Sequence, residues 1–117
     1  MNGYGTLLEA VNRVPGVRGA MVAAAGDGLV VEEDLMVGVP GPPVAALAAS
    51  LFQRARRSLA AAELGSISFL QVEAEHGYLF VAAPGRGSDL LLITVAERWT
   101  NVGMVRLEML RGAGALA

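Results

Sequence analysis

Between residues 43 and 64, apolar side chains recur at three- and four-residue spacing: Val44, Leu47, Ala48, Leu51, Phe52, Ala55, Leu59 and Ala62. That period predicts one long amphipathic helix with these residues as its buried stripe and Leu51 in the core. Pro43 suits the first helical position, where its missing N–H is not needed. Gly65 is the expected left-handed C-terminal cap. Gln53, Arg54, Arg56, Arg57 and Glu63 lie off the stripe. Ala45, Ala46, Ala49, Ala60 and Ala61 leave the opposite side almost bare. Such a surface either admits another backbone closely or reflects only the high helix propensity of Ala.

A shorter helix is predicted over residues 6–14, with Leu7, Leu8, Val11 and Val14 as its apolar face. Thr6 and Glu9 have capping-box spacing, and Pro15-Gly16 ends the helix. Strands over 17–24 and 29–33 flank a turn at Ala25-Gly26-Asp27-Gly28, which reads as a hairpin and not as a nucleotide loop. The stretch 35–39 either prolongs the second strand or belongs to the loop leading to the long helix. Three further strands are predicted over 66–75, 78–83 and 88–96. Tyr78-Leu79-Phe80-Val81 and Leu90-Leu91-Leu92-Ile93 are apolar at successive positions. Successive strand side chains point to opposite faces, so these strands need cover on both sides. A last helix begins at Thr100 or Asn101 and runs to about Arg111, with Gly103 suggesting close packing and Trp99 expected as a packing anchor.

The predicted order is α-β-β-α-β-β-β-α. This is a single α+β domain over residues 1–117, a five-stranded antiparallel sheet between helices. The strand 66–75 has no Pro, Lys or evident bulge, so left alone it is an unprotected edge that invites a second copy.

Composition narrows the chemistry more than it suggests it. The 117 residues are 54% hydrophobic and 17% charged, with a net charge of −2. That balance argues against a general binder of nucleic acid, whose affinity rests on phosphate neutralisation. There is no Cys, and without Lys no P-loop can form. His76 is the sole His, so neither an ordinary zinc site nor a nucleophile–base pair is available. No catalytic residue, metal or cofactor is therefore expected. Glu32, Glu33 and Asp34 read as a solvated acidic run, and Asp27 as a turn former. No basic start precedes the first apolar residues, and the longest uncharged apolar run is far too short to cross a bilayer. A cytoplasmic protein without stable membrane insertion is the expectation. The positive feature is Gln53, Arg54, Arg56 and Arg57, either a solvated helix face or a docking surface, since Arg is enriched at interface hot spots.

Four short segments carry a resemblance. They are Val14-Pro15-Gly16-Val17-Arg18-Gly19-Ala20, Gly26-Asp27-Gly28-Leu29-Val30, Ala46-Leu47-Ala48-Ala49-Ser50-Leu51 and Asn101-Val102-Gly103-Met104-Val105-Arg106-Leu107. In order and spacing the chain resembles the roadblock (dynein light-chain) family, and within it the bacterial MglB-like regulators of small Ras-like GTPases. The resemblance implies a homodimer, or a heterodimer with a related chain, in which third strands pair across a two-fold axis. Ile67, Phe69, Leu70, Gln71 and Val72 would form that interface. The central helices would lie side by side, and a small Ras-like GTPase would dock on Ala45, Ala49, Gln53, Arg56 and Arg57. It implies a GTPase-activating or adaptor partner, or else a dimeric scaffold without effect on hydrolysis, and not an enzyme with its own substrate. The longer C-terminal extension of some bacterial members is not seen, so no role tied to one is expected.

Overall fold

The computed structural model describes residues 3–85 and 88–116. Its elements are α1 (Gly5–Asn12), β1 (Val17–Ala24), β2 (Val30–Leu35), α2 (Gly41–Ala61), β3 (Phe69–Ala74), β4 (Gly77–Ala82), β5 (Leu90–Ala96) and α3 (Val102–Gly114). The strands form one antiparallel sheet in the order β2-β1-β5-β4-β3. The element order is the predicted one, and β2 and β3 are the two edges.

The consecutive apolar positions of β4 and β5 divide between two cores. Phe80, Ala82 and Leu92 join Leu8, Val11, Val105 and Met109 beneath α1 and α3. Val81, Leu91 and Ile93 join Met21, Ala23 and Phe52 beneath α2. Both faces thus carry a core, as runs without alternation require, although Leu79 of β4 and Val95 of β5 stay only half-buried on the α2 face.

The local terminations differ from the sequence reading. Helix α1 starts at Gly5, with Tyr4 as its N-cap and no side-chain cap bond, so the Thr6–Glu9 capping box does not form. Helix α2 starts at Gly41, and Pro42 and Pro43 occupy its first positions. It ends at Ala61, before the expected Gly65 cap. The left-handed residue that closes the helix is Glu63, with φ 60°, and Gly65, with φ +88°, follows two residues later. The Leu64 N–H donates to the Leu59 carbonyl at 2.9 Å, and the Glu63 N–H to that of Ala60 at 3.0 Å. That pair of bonds is a Schellman closure built on a non-glycine residue. Strand β2 reaches Leu35, while β3 begins only at Phe69. In α3 the cap is Asn101, one of the two expected, its Oδ1 accepting from the Met104 N–H at 3.1 Å. Gly103 is exposed, and Trp99 is 68% exposed, so neither serves the packing role expected of it.

The seating of α2 is the main correction. Its buried residues are Gly41, Ala45, Ala48, Ala49 and Phe52, with Ala45 fully buried. Leu51 is 37% exposed and Leu47 72%. Of the expected stripe, Ala48 and Phe52 are buried but Leu47 and Leu51 are not, while Ala45 and Ala49, expected on the bare side, are buried in their place. Small residues let the helix come down closely, and the leucines are displaced to one flank. On the other flank the bare surface does admit a backbone, that of the chain's own β1–β2 turn. A Cβ on Gly28 would lie 2.5 Å from Ala46 Cα, and Gly28 holds φ +76°. Asp27 Oδ1 accepts from the Leu29 N–H at 3.0 Å and fixes that turn. Glu33 also has a structural use. A Cβ on Gly41 would meet its Oε1 at 2.6 Å, so its carboxylate lies at the positive end of the α2 dipole.

Candidate functional site

Helix α2 crosses β2, β1 and β5 and leaves the β4–β3 side of the same face partly open. The displaced residues Val44, Leu47 and Leu51 look across at Val72 of β3, Leu79 of β4 and Val95 of β5. Together they line an apolar groove of about 550 Å³, to which Arg18, Tyr78 and the Glu75-His76-Gly77 turn also contribute. Arg18 Nε is tied to Glu97 Oε2 at 3.3 Å. Apolar concavities of this kind are where interaction sites usually lie.

Strand β3 borders the groove. Leu70 and Val72 are half-buried and face the α2 side, while Gln71 is exposed on the other. Ile67, which was assigned to the same edge, lies ahead of the strand and packs against the core beneath α2. Two arginines hold β3 from the α3 side. The Arg98 guanidinium donates to the Ala74 carbonyl at 2.9 Å and pairs with Glu73 Oε2 at 3.0 Å. It also lies 6.0 Å from the Tyr78 ring centroid. The Arg106 guanidinium sits 5.0 Å above Phe69. Cation–π contacts of this kind add attraction beyond packing.

The proposed docking residues are dispersed by the fold. Ala45 and Ala49 are buried beneath α2 and cannot meet a partner. Gln53 is partly buried, and its Nε2 donates to the Ala25 carbonyl at 2.9 Å. Arg56 lines a wide cleft of about 1020 Å³ between α2, the β1–β2 turn and the β4–β5 connection. Arg54 and Arg57 are exposed. Among the described residues none of these three arginines forms an ion pair. The sequence reading missed Leu47, Leu79 and Val95 as groove residues, and Arg98 and Arg106 as clamps on β3. The one available signal was that the apolar arc of α2 is wider than a single contact face needs.

Among the described residues no group of three or more His, Cys, Asp or Glu could hold a metal ion. Among the described residues, too, no helix is long and apolar enough to cross a membrane. Residues 4–94 match the Roadblock/LC7 domain. The chain is 33% identical over 107 residues to an uncharacterized protein of Methanocaldococcus jannaschii, across 92% of this chain and 90% of that one. It superposes on a Roadblock/LC7 domain from Streptomyces avermitilis with a TM-score of 0.81 and 25% identity, over 92% of this chain and 89% of that one. With the gliding protein MglB of Thermus thermophilus the TM-score is 0.85 at 22% identity, over 100% of this chain and 90% of that one. On the match over most of its length and the shared fold, the chain belongs to the Roadblock/LC7 domain family.

Proposed function

We propose that the chain is a dimeric, non-catalytic regulator of a small Ras-like GTPase, acting in the cytoplasm and docking its partner on the outer surface of paired α2 helices. The observation that carries this reading is the apolar groove lying directly beside the unprotected β3 edge. A groove and an edge that share a border suit a second copy of the chain. Strand β3 would pair with β3, and each α2 would bring its exposed Leu47 and Leu51 toward the open half of the other sheet. Two α2 helices would then lie side by side, with Arg54 and Arg57 on their outward surface. Charge there acts chiefly on association rate and specificity. The class of partner comes from the resemblance to MglB-like regulators.

The test is single-turnover GTP hydrolysis by a small Ras-like GTPase encoded in the same genome, with and without this chain. A faster rate supports a GTPase-activating regulator. A stable complex with an unchanged rate supports the scaffold reading instead. No complex with any such GTPase would sink both. Within a complex, Arg56→Glu with Arg57→Glu is expected to abolish GTPase binding while dimer mass and Tm stay nearly unchanged. Unaltered affinity and salt dependence would mean that the partner docks elsewhere.

A further inference from the structure

We infer that β3 pairs with β3 of a second copy in a register that puts Gln71 on the two-fold axis and sets Arg106 of each chain against the partner's Glu73. The inference rests on the dimeric reading above and specifies which pairing that edge selects.

Hydrogen-bond parity gives the first half of the argument. The Ala83 N–H donates to the Ser68 carbonyl. The register of β3 on β4 continues regularly from there, Phe69↔Ala82 through Ala74↔Gly77. In an antiparallel ladder alternate residues bond to the same neighbour. Ser68, Leu70, Val72 and Ala74 therefore spend their backbone groups on β4. Phe69, Gln71 and Glu73 turn theirs to the free edge. Two copies can join only outward groups to outward groups. An axis on Gln71 matches all three within the strand: Phe69 to the partner's Glu73, Gln71 to the partner's Gln71, and Glu73 to the partner's Phe69. An axis on Leu70 or Val72 sends one pairing of each chain beyond the strand ends. An axis on Glu73 sets like charges opposite each other, which is unfavourable.

Side chains give the second half. Gln71 is exposed, and its amide both donates and accepts, so it can bond to its own copy. Arg106 stands over Phe69 and forms no ion pair among the described residues. In this register the partner's Glu73 arrives opposite Phe69, beneath that unpaired guanidinium. Glu73 is already oriented by Arg98 at 3.0 Å, so its carboxylate is held in place before the second chain arrives. The pairing is selective. A related chain without an acid matching Glu73, or without an arginine matching Arg106, would leave one charge unanswered at the edge.

The absence of Cys makes the register directly readable. Opposed residues of a hydrogen-bonded pair have Cα atoms about 5.5 Å apart, inside the disulfide range of roughly 4.4–6.8 Å. In this register Leu70 lies opposite the partner's Val72, so each of these residues meets its own copy only on a diagonal, about 7–8 Å away. Under mild oxidation Gln71→Cys should become a covalent dimer, while Leu70→Cys and Val72→Cys remain largely monomeric on a denaturing gel. Preferential linking of Leu70→Cys or Val72→Cys in a chain of dimer mass overturns the register and leaves the dimer standing. A monomer mass for the unmodified chain at micromolar concentration overturns both. The ion pair is read separately from dimer Kd in a cycle of Arg106→Gln, Glu73→Gln and the double variant. The two effects should be coupled by at least about twofold, the lower end for residues in contact. Independent effects would remove the ion pair from the proposal.

Discussion

Beneath α2, the β2 end of the sheet is closed. Ala45, Ala48, Ala49 and Phe52 rest on Met21, Ala23, Leu91 and Ile93. At the β3 end of the same face, Leu79, Val72 and Val95 line an open groove. The two edges differ in the same sense. Strand β2 carries Glu32, Glu33 and Asp34, its pairing with β1 shifts register between Val22 and Ala23, and Asn12 Nδ2 donates to the Asp34 carbonyl. Charges and bulges are usual protections of an edge. Strand β3 pairs with β4 in unbroken register, and Arg98 ties only its last residues, Glu73 and Ala74, so the edge at Phe69 and Gln71 has no such protection. One helix thus completes half a sheet and leaves Leu47 and Leu51 exposed beside the other half. Apolar surface left beside an exposed edge is available for association, whereas the surface under the α2 alanines is spent on folding.

The closed half should yield the largest loss when it is cut. Phe52 is its largest side chain from α2, and Phe52→Ala should cost roughly 3–5 kcal/mol, the range for a buried Phe truncation. Urea denaturation would read this as a lower midpoint at unchanged slope. A change below about 0.5 kcal/mol, the surface range, would mean that α2 is not seated as described.

Next in size is the turn that fits against the bare flank of α2. Gly28→Ala meets both a positive φ and the Ala46 backbone. The conformational part alone is about 1–2 kcal/mol. Thermal unfolding should show a clear fall in Tm, and an unchanged Tm would mean that the turn does not press on the helix.

The end of α2 offers a change of opposite sign that belongs to neither half. Glu63→Gly relieves a left-handed non-glycine residue at the Schellman closure. Relief of roughly 1–2 kcal/mol, less about 0.5–1 kcal/mol for the greater freedom of glycine in the unfolded chain, leaves a small net gain. Dimer mass should be unaffected. A loss of stability would show that Glu63 makes a compensating contact.

The two-sided cover of the sheet was legible because Leu90-Leu91-Leu92-Ile93 has no polar position to face water. The Asx turn at Asp27 and the cap at Asn101 were legible because each is a local bond between residues two or three apart. The seat of α2 was not. Hydropathy ranks Leu above Ala and so centres the stripe on Leu47 and Leu51. Contact geometry ranks them the other way, because a helix approaches most closely where its side chains are smallest. For that reason Ala45 and Ala49 were assigned outward and Leu51 inward. The capping box failed for a related reason. Thr6 and Glu9 had the spacing, but the helix begins a residue earlier at Gly5, which takes Thr6 out of the cap position. Arg106 and Arg98 could not be linked to β3 from sequence, since the separation of Arg106 from Phe69 is closed only by the packing of α3 on β4.

The smallest expected effect on folding is the one that separates the two halves most sharply. Leu47 sits on the open flank at 72% exposure, so Leu47→Glu removes little that the single chain buries. Its folding free energy, measured where the chain is monomeric, should change by no more than about 0.5 kcal/mol. The dimer should respond very differently. A carboxylate introduced at the centre of an apolar contact must be desolvated without a partner, which is strongly unfavourable. Analytical ultracentrifugation should then find monomer at concentrations where the unmodified chain is dimeric. Arg57→Glu is the contrasting control, because it reverses a charge on the outer surface and should leave dimer mass alone. If Leu47→Glu instead unfolds the chain, the leucine belongs to the core and the groove is not an open half. If it changes neither stability nor mass, the groove is not covered by a second copy, and association must use another surface.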